Sequence, residues 1–288
     1  MRKTVFMAGM TAVLTCFAVY AAPITFAYKM KPGKKYVTTM SSQTETNFMD
    51  NKNVSRSRTV IEYKIAAGKK KDWISVAARI RSQKDESGQD TGQAMGIYQV
   101  TYFADMHMSG EIRNIKYSGA KLSPEMEEQI KSLPSETAAL VRQSANFMAE
   151  QWKESIFWFP EFTENRLRIG DEFEFTKKSV SGGQGTGMQN QFQSKQVFTL
   201  ESVRNGLADF SVEERSLMKS SGPMGSQSDV KSQGKSKAVF DLKTGIWIEL
   251  VSKYRSQVQF SGMPGSTAGS EAGAQDVFSI IKYEMNVE

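Results

Sequence analysis

In the stretch VSRSRTVIEYKIAAG (54–68), Val60, Glu62 and Lys64 alternate with Ile61, Tyr63 and Ile65. The same period of two recurs along most of the chain. Alternation of β-branched and aromatic residues with polar ones, bounded by Gly, Asn and Asp, marks half-buried antiparallel strands. Five such stretches come early, at 34–49, 54–68, 72–86, 97–108 and 110–119. Six more follow Gly170, at 171–180, 190–203, 206–218, 231–242, 245–260 and 277–287. Asn205-Gly206 predicts a tight hairpin, Ser109-Gly110 a second, and Gly245 in DLKTGIW a third turn with positive φ. Stretches of low complexity at 85–96, 181–189, 219–229 and 261–276 are expected to form loop tips.

Between 123 and 157 the period changes. Ser123 is placed to cap a helix, with Pro124 in its first turn and Glu125, Glu127 and Glu128 near the positive end of the dipole. Met126, Ile130 and Leu133 share one face, and Pro134 interrupts the helix. A second helical stripe then runs through Val141, Ala145, Met148, Trp152 and Ile156 before Pro160 ends it. The expectation is a mainly β protein: a large curved antiparallel sheet or half-barrel of about 10–11 strands with a mid-chain helical insertion over 123–157. No fixed-period repeat divides it, so residues 22–288 read as a single domain.

The first residues, MRKTVFMAGMTAVLTCFAVYAAP, change the picture by adding a compartment. Arg2 and Lys3 precede a short apolar run, and Val19 and Ala21 are small side chains at −3 and −1 of a cleavage site after Ala21. Residues 1–21 therefore read as a signal peptide, and the protein is expected to be periplasmic or secreted. A lipoprotein leader using Cys16 is the competing reading, for which Thr15 is a poor preceding residue. Cys16 is the sole cysteine, so the mature chain must be held by a packed core rather than by disulfides. The chain has 37 basic and 31 acidic residues, and losing Arg2 and Lys3 leaves a modest excess of four bases. GKKKD (68–72) and KPGKK (31–35) are glycine-flanked turn lysines without an aromatic stacking platform, so no nucleic-acid partner is expected. No later apolar stretch approaches the ~20 residues of a membrane-spanning helix, so any membrane association is peripheral at most.

The densest chemistry of the sequence is aromatic. FWFPEFTENRLRIGDEFEF (157–175) brings Phe157, Trp158, Phe159 and Phe162 to the end of the helical insertion, just before Gly170-Asp171 turns into a strand. These rings are expected to wedge the helix end against a concave sheet face. Met148, Trp152, Phe157, Trp158 and Phe159 are the candidate lining of a pocket for a hydrophobic ligand; the alternative is that they pack the core. The thirteen methionines that follow residue 21 are compatible with either reading.

The stretch FPEFTENRLRIGDEFEF (159–175) resembles a pattern found in an uncharacterised group of exported bacterial β-rich proteins: an aromatic segment with proline, a spacer, then Gly-Asp leading into an aromatic strand. GKSKAVFDLKTGIWIEL (234–250) and YKMKPGKKYVTT (28–39) resemble two further strand and turn motifs of that group. The architecture implied is similar to the half-barrel of lipoprotein-carrier proteins of the LolA type, in which a curved sheet and a helical lid enclose an acyl-chain cavity.

Other constellations are weak. His107 is the only histidine, and no G-x-S-x-G elbow accompanies it. Met106-His107-Met108 offers copper ligands by type, but neighbouring strand residues point to opposite faces. SGGQGTGMQNQ (181–191) lacks the lysine and helix of a phosphate loop. Paired carboxylates, as in VEERS (212–216), leave a carboxylate-based hydrolase open. No catalytic residue, metal or cofactor is assigned. The readings that stand are a non-enzymatic carrier or binding protein for a hydrophobic ligand, lipid or lipid-anchored partner, and a structural or interaction module with a filled core.

Overall fold

The computed structural model describes residues 22–48, 51–89, 100–119, 122, 124–182, 189–221, 227–261 and 272–288. The leader reading of residues 1–21 and the Ser123 cap lie outside the described residues. So do most of the expected loop tips, among them 90–96, 183–188 and 262–271.

Eleven strands form one open antiparallel sheet. They are β2 (Lys35–Phe48), β3 (Asn51–Ala67), β4 (Trp73–Asp85), β5 (Thr101–His107), β6 (Ile112–Tyr117), β8 (Glu172–Gly182), β9 (Gln189–Arg204), β10 (Leu207–Ser221), β11 (Gln227–Asp241), β12 (Ile246–Ser261) and β13 (Ala272–Val287). Their spatial order is β6-β5-β4-β3-β2-β13-β12-β11-β10-β9-β8. Each half is a meander joined by hairpins, and β13 zips against β2 at the junction, from Val277 opposite Thr46 to Val287 opposite Tyr36. A short pair, β1 (Ile24–Thr25) with β7 (Arg166–Leu167), lies apart from this sheet.

Two helices, α1 (Pro124–Lys131) and α2 (Ser135–Ser155), occupy the connection between edge strands β6 and β8. The break between them falls at Pro134, as the missing N–H of proline requires. Helix α2 contacts both β6 and β8, so the insertion spans the open seam. Its buried face keeps part of the expected stripe, Ala145 and Ile156, and adds Ala138 and Ala149. Val141 is only partly covered. Small alanines on that face permit a close approach.

Several strands run further than their apolar alternation indicates. Of the stretch 219–229, expected as a loop, the described residues 219–221 and 227–229 are strand: β10 extends to Ser221 and β11 begins at Gln227, with Ser221 opposite Gln227. Backbone pairing continues there although both faces carry Ser, Gln and Lys, so the hydrophobic period fades before the ladder does.

The turns between β3 and β4, β5 and β6, β9 and β10, and β11 and β12 gather at one end of the sheet. Asn205 and Gly206 both adopt positive φ (54° and 82°), as expected for their hairpin. This end is solid. The segment before β2 enters the interior, burying Phe26, Tyr28 and Met30. Its backbone is held by Phe26 N–H donating to the Asn165 carbonyl (2.8 Å) and Tyr28 N–H to the Met108 carbonyl (2.8 Å). Phe159, Phe162, Phe173, Phe198, Phe210, Phe240 and Trp247 complete an aromatic plug around it. Phe162 sits among five ring partners, including Phe26 at 5.4 Å and Trp247 at 5.8 Å. The expected single oily hollow is therefore partly occupied by the chain's own N-terminal and post-helix segments.

Candidate functional site

What remains open inside the sheet is divided in two by a stacked pair, Trp158 and Tyr283, with ring centroids 5.5 Å apart and planes 16° from parallel. On one side lies a cavity of about 150 Å³ between the end of α2 and strands β2, β3, β12 and β13. Trp152, Ile156, Trp158 and Phe159 wall it from the helical side. Met40, Ile61, Tyr63, Leu250 and Met285 wall it from the sheet. The helix end is fixed above it by Tyr63, whose hydroxyl donates to the Ile156 carbonyl at 2.7 Å. Burial pushes the Tyr63 hydroxyl well above the ordinary tyrosine range, so it stays a donor at any physiological pH.

Of the five candidate residues, Trp152, Trp158 and Phe159 line this cavity together. Phe157 does not line it: its side chain is buried in the main core. Met148 lies in α2, and its side chain falls outside the described residues.

On the other side of the stack the lining changes character. A cavity of about 320 Å³ is bordered by Trp158, Phe175, Phe192, Tyr254 and Tyr283, but also by Ser194, Gln196, Ser216, Ser232, Ser256 and Ser279. Hydroxyl pairs tie neighbouring strands across this part of the concave face: Ser232 to Ser256 (2.7 Å), Ser236 to Ser252 (2.8 Å) and Thr44 to Ser279 (3.2 Å). At its base is Glu214, 8% exposed. Its carboxyl accepts from Ser194 Oγ (3.2 Å), Gln196 Nε2 (2.5 Å) and Tyr254 Oη (2.8 Å). Tyr254 reaches Glu214 by lying over Gly234, the residue opposite it on the intervening strand β11. A Cβ on Gly234 would meet the Tyr254 ring at 2.5 Å. Burial and then the Glu214 charge push the Tyr283 hydroxyl up to about 12, and move Tyr254 in the same direction.

This polar chamber was not among the sequence-derived candidates, although a signal for it exists. Ala208, Phe210, Val212 and Glu214 are in phase along β10, so the period that buries Phe210 also buries the carboxyl. Ser194 and Gln196 stand likewise in phase with Phe198 and Leu200 on β9.

The other sequence candidates stay apart. Met106 is buried and Met108 is exposed. The His107 ring lies tilted against Trp73 (centroids 5.2 Å apart), with Nδ1 bonded to Ser109 Oγ at 2.9 Å. Met106 and Met108, which strand alternation would place on one face, part because β5 ends at His107. Among the described residues no cluster of three or more His, Cys, Asp or Glu is arranged to hold a metal. No described helix is long and apolar enough to cross a membrane.

Neither a protein-family model nor a curated protein sequence matches the chain. Among solved structures, lipovitellin, in a study of its lipid–protein interactions, is similar at 13% identity and a TM-score of 0.47 over 90% of this chain. The match spans 26% of the lipovitellin chain, about a quarter of its length. A protein from Bacteroides fragilis described as exported, with a YmcC-like fold, is similar at 10% identity and a TM-score of 0.28, over 89% of this chain and 97% of that one. A porin of Rh. blastica follows at 7% identity and a TM-score of 0.25, over 88% and 99% of the two chains.

Proposed function

We propose that the protein is an exported, non-enzymatic binding protein that takes up a hydrophobic group under the end of α2. The observation that carries this reading is the cavity walled by Trp152, Trp158 and Phe159. Apolar burial supplies the affinity there, and the rigid stack of Trp158 on Tyr283 supplies the shape. Its size limits what enters: a dry protein cavity of about 150 Å³ holds one benzene ring. The occupant is therefore a ring or the end of an acyl chain, as on a lipid or a lipid anchor, rather than a whole acyl chain enclosed along its length. The leader-like residues 1–21 support an extracytoplasmic location.

The competing reading, a structural module with a filled core, draws on the aromatic plug at the turn end. A fluorescent hydrophobic probe separates the two. The wild-type protein is expected to bind it, and Trp152→Ala to weaken binding by about tenfold or more while unfolding with cooperativity intact. Equal probe binding by folded Trp152→Ala, or none by the wild type, favours the filled module.

A further inference from the structure

The chamber beyond the Trp158–Tyr283 stack carries more information than the apolar cavity, because its polar groups are unbalanced. Glu214 is buried, and its three hydrogen-bond partners, Ser194, Gln196 and Tyr254, are all neutral. A buried carboxylate without a cation is costly, and neutral donors offset only part of that cost. Beside it, Gln196 directs Nε2 to Glu214, since a carboxylate can only accept. That orientation fixes the amide and leaves Gln196 Oε1, in a residue 6% exposed, buried without a partner among the described residues. Glu214 and Gln196 thus both border the one chamber, the first with neutral donors only and the second with its carbonyl oxygen unpartnered among the described residues.

The walls of the same space are aromatic: Trp158, Phe175, Phe192, Tyr254 and Tyr283. Their faces attract cations and exclude water. Lys177 borders the chamber from edge strand β8, opposite Ser194.

We infer that this chamber is a binding site for a primary ammonium group attached to an apolar body. The ammonium donates to Glu214 and to Gln196 Oε1, and the apolar part lies against the Trp158–Tyr283 stack. A primary ammonium has three N–H donors, which matches two under-supplied acceptors; a quaternary ammonium has none. The inference deepens the proposed binding role and rests on it.

Calorimetric titration of the full mature chain with hexylammonium, hexyltrimethylammonium and hexanol tests it. Hexylammonium is expected to bind about tenfold or more tightly than either of the others. In Glu214→Gln that preference is expected to disappear while hexanol binding stays, with a thermal melt confirming the fold. Hexanol binding as tightly as hexylammonium to the wild type overturns the amine site and leaves the apolar cavity standing. Hexyltrimethylammonium binding as tightly overturns the donor argument. Binding of none of the three overturns the binding role with it. The wild-type comparison decides the matter even where Glu214→Gln fails to fold.

Discussion

At the scale of the residue, the structure turns on side chains whose environment the local sequence does not show. Gly234 is one. Its missing Cβ is the space that the Tyr254 ring crosses to reach Glu214. Gly234→Ala is expected to cost about 1–3 kcal/mol, as overpacking does, and to release the Tyr254 hydroxyl. A urea titration measures the first effect, and a tyrosine-fluorescence titration the second. Two glutamates on either side of the ordinary value near 4.5 give opposite pH signatures. Desolvation raises Glu62, yet the Arg81 hydrogen bond and the charges of Arg81, Lys64 and Lys35 outweigh it and hold its pKa low. Its folded pKa lies below the unfolded one. Its stabilisation is therefore present above the unfolded value and lost as the pH falls through the lowered folded value. Glu161 is raised, by burial and then by Glu111, with His107 and Arg113 opposing. Its ionisation costs stability above the raised value, and the cost is relieved as the pH falls through it. At pH 7, Glu62→Gln is expected to lower the unfolding midpoint, by about 1–2 kcal/mol of stability, and Glu161→Gln to raise it. Both differences shrink as urea titrations move to pH 3.

At the scale of the element, the internal segment before β2 works as a strut. Tyr28 Oη donates to the Pro160 carbonyl (3.0 Å) and accepts from Trp247 Nε1 (2.8 Å). One hydroxyl thus joins this segment to the post-helix return and to β12. Tyr28→Phe keeps the ring but strands a buried donor and a buried acceptor. The expected loss is about 1–3 kcal/mol, read from the thermal midpoint, with Trp247 contributing a changed near-ultraviolet signal. This strut is illegible in the sequence: KPGKK reads as a lysine-bearing turn, and only the tertiary fold reveals that Phe26 and Tyr28 before it face inward. The strands themselves, the hairpin turns and the break at Pro134 are legible because each rests on a local rule. Irregularities defeat local rules. In β12, Trp247 and Leu250 would fall on opposite faces of a regular strand. The extra residue Ile248, in the bulge opposite Val239 and Phe240, turns both inward. A second bulge, in β4, adds Arg81 beside Glu62. The Trp152–Trp158–Phe159 grouping could be anticipated as an aromatic cluster. The Glu214 chamber draws its walls from all six strands of the β8–β13 meander, and alternation says only that each residue faces inward, not which residues meet.

At the scale of the whole molecule, the concave face is graded from an aromatic plug at the turn end, through the Trp158–Tyr283 partition, to a wall of serines. That gradient separates this interior from a uniformly greasy bowl and confines the open apolar lining to one narrow zone. The pairing of β13 with β2 has a different consequence. These two ribbons, remote along the chain, meet at the midline, and the Glu288 N–H donates to the Lys35 carbonyl (2.9 Å). Neither half can be stitched to the other until the final strand has emerged. Chain ends this far apart in sequence close slowly, because loop entropy must be overcome before the contacts form. A chain stopped at residue 261 is expected to show no cooperative unfolding in a near-ultraviolet melt, and a synthetic peptide of 272–288 to restore it. Until that last stitch, the two meanders remain separate ribbons, each with an unsatisfied edge where the other docks.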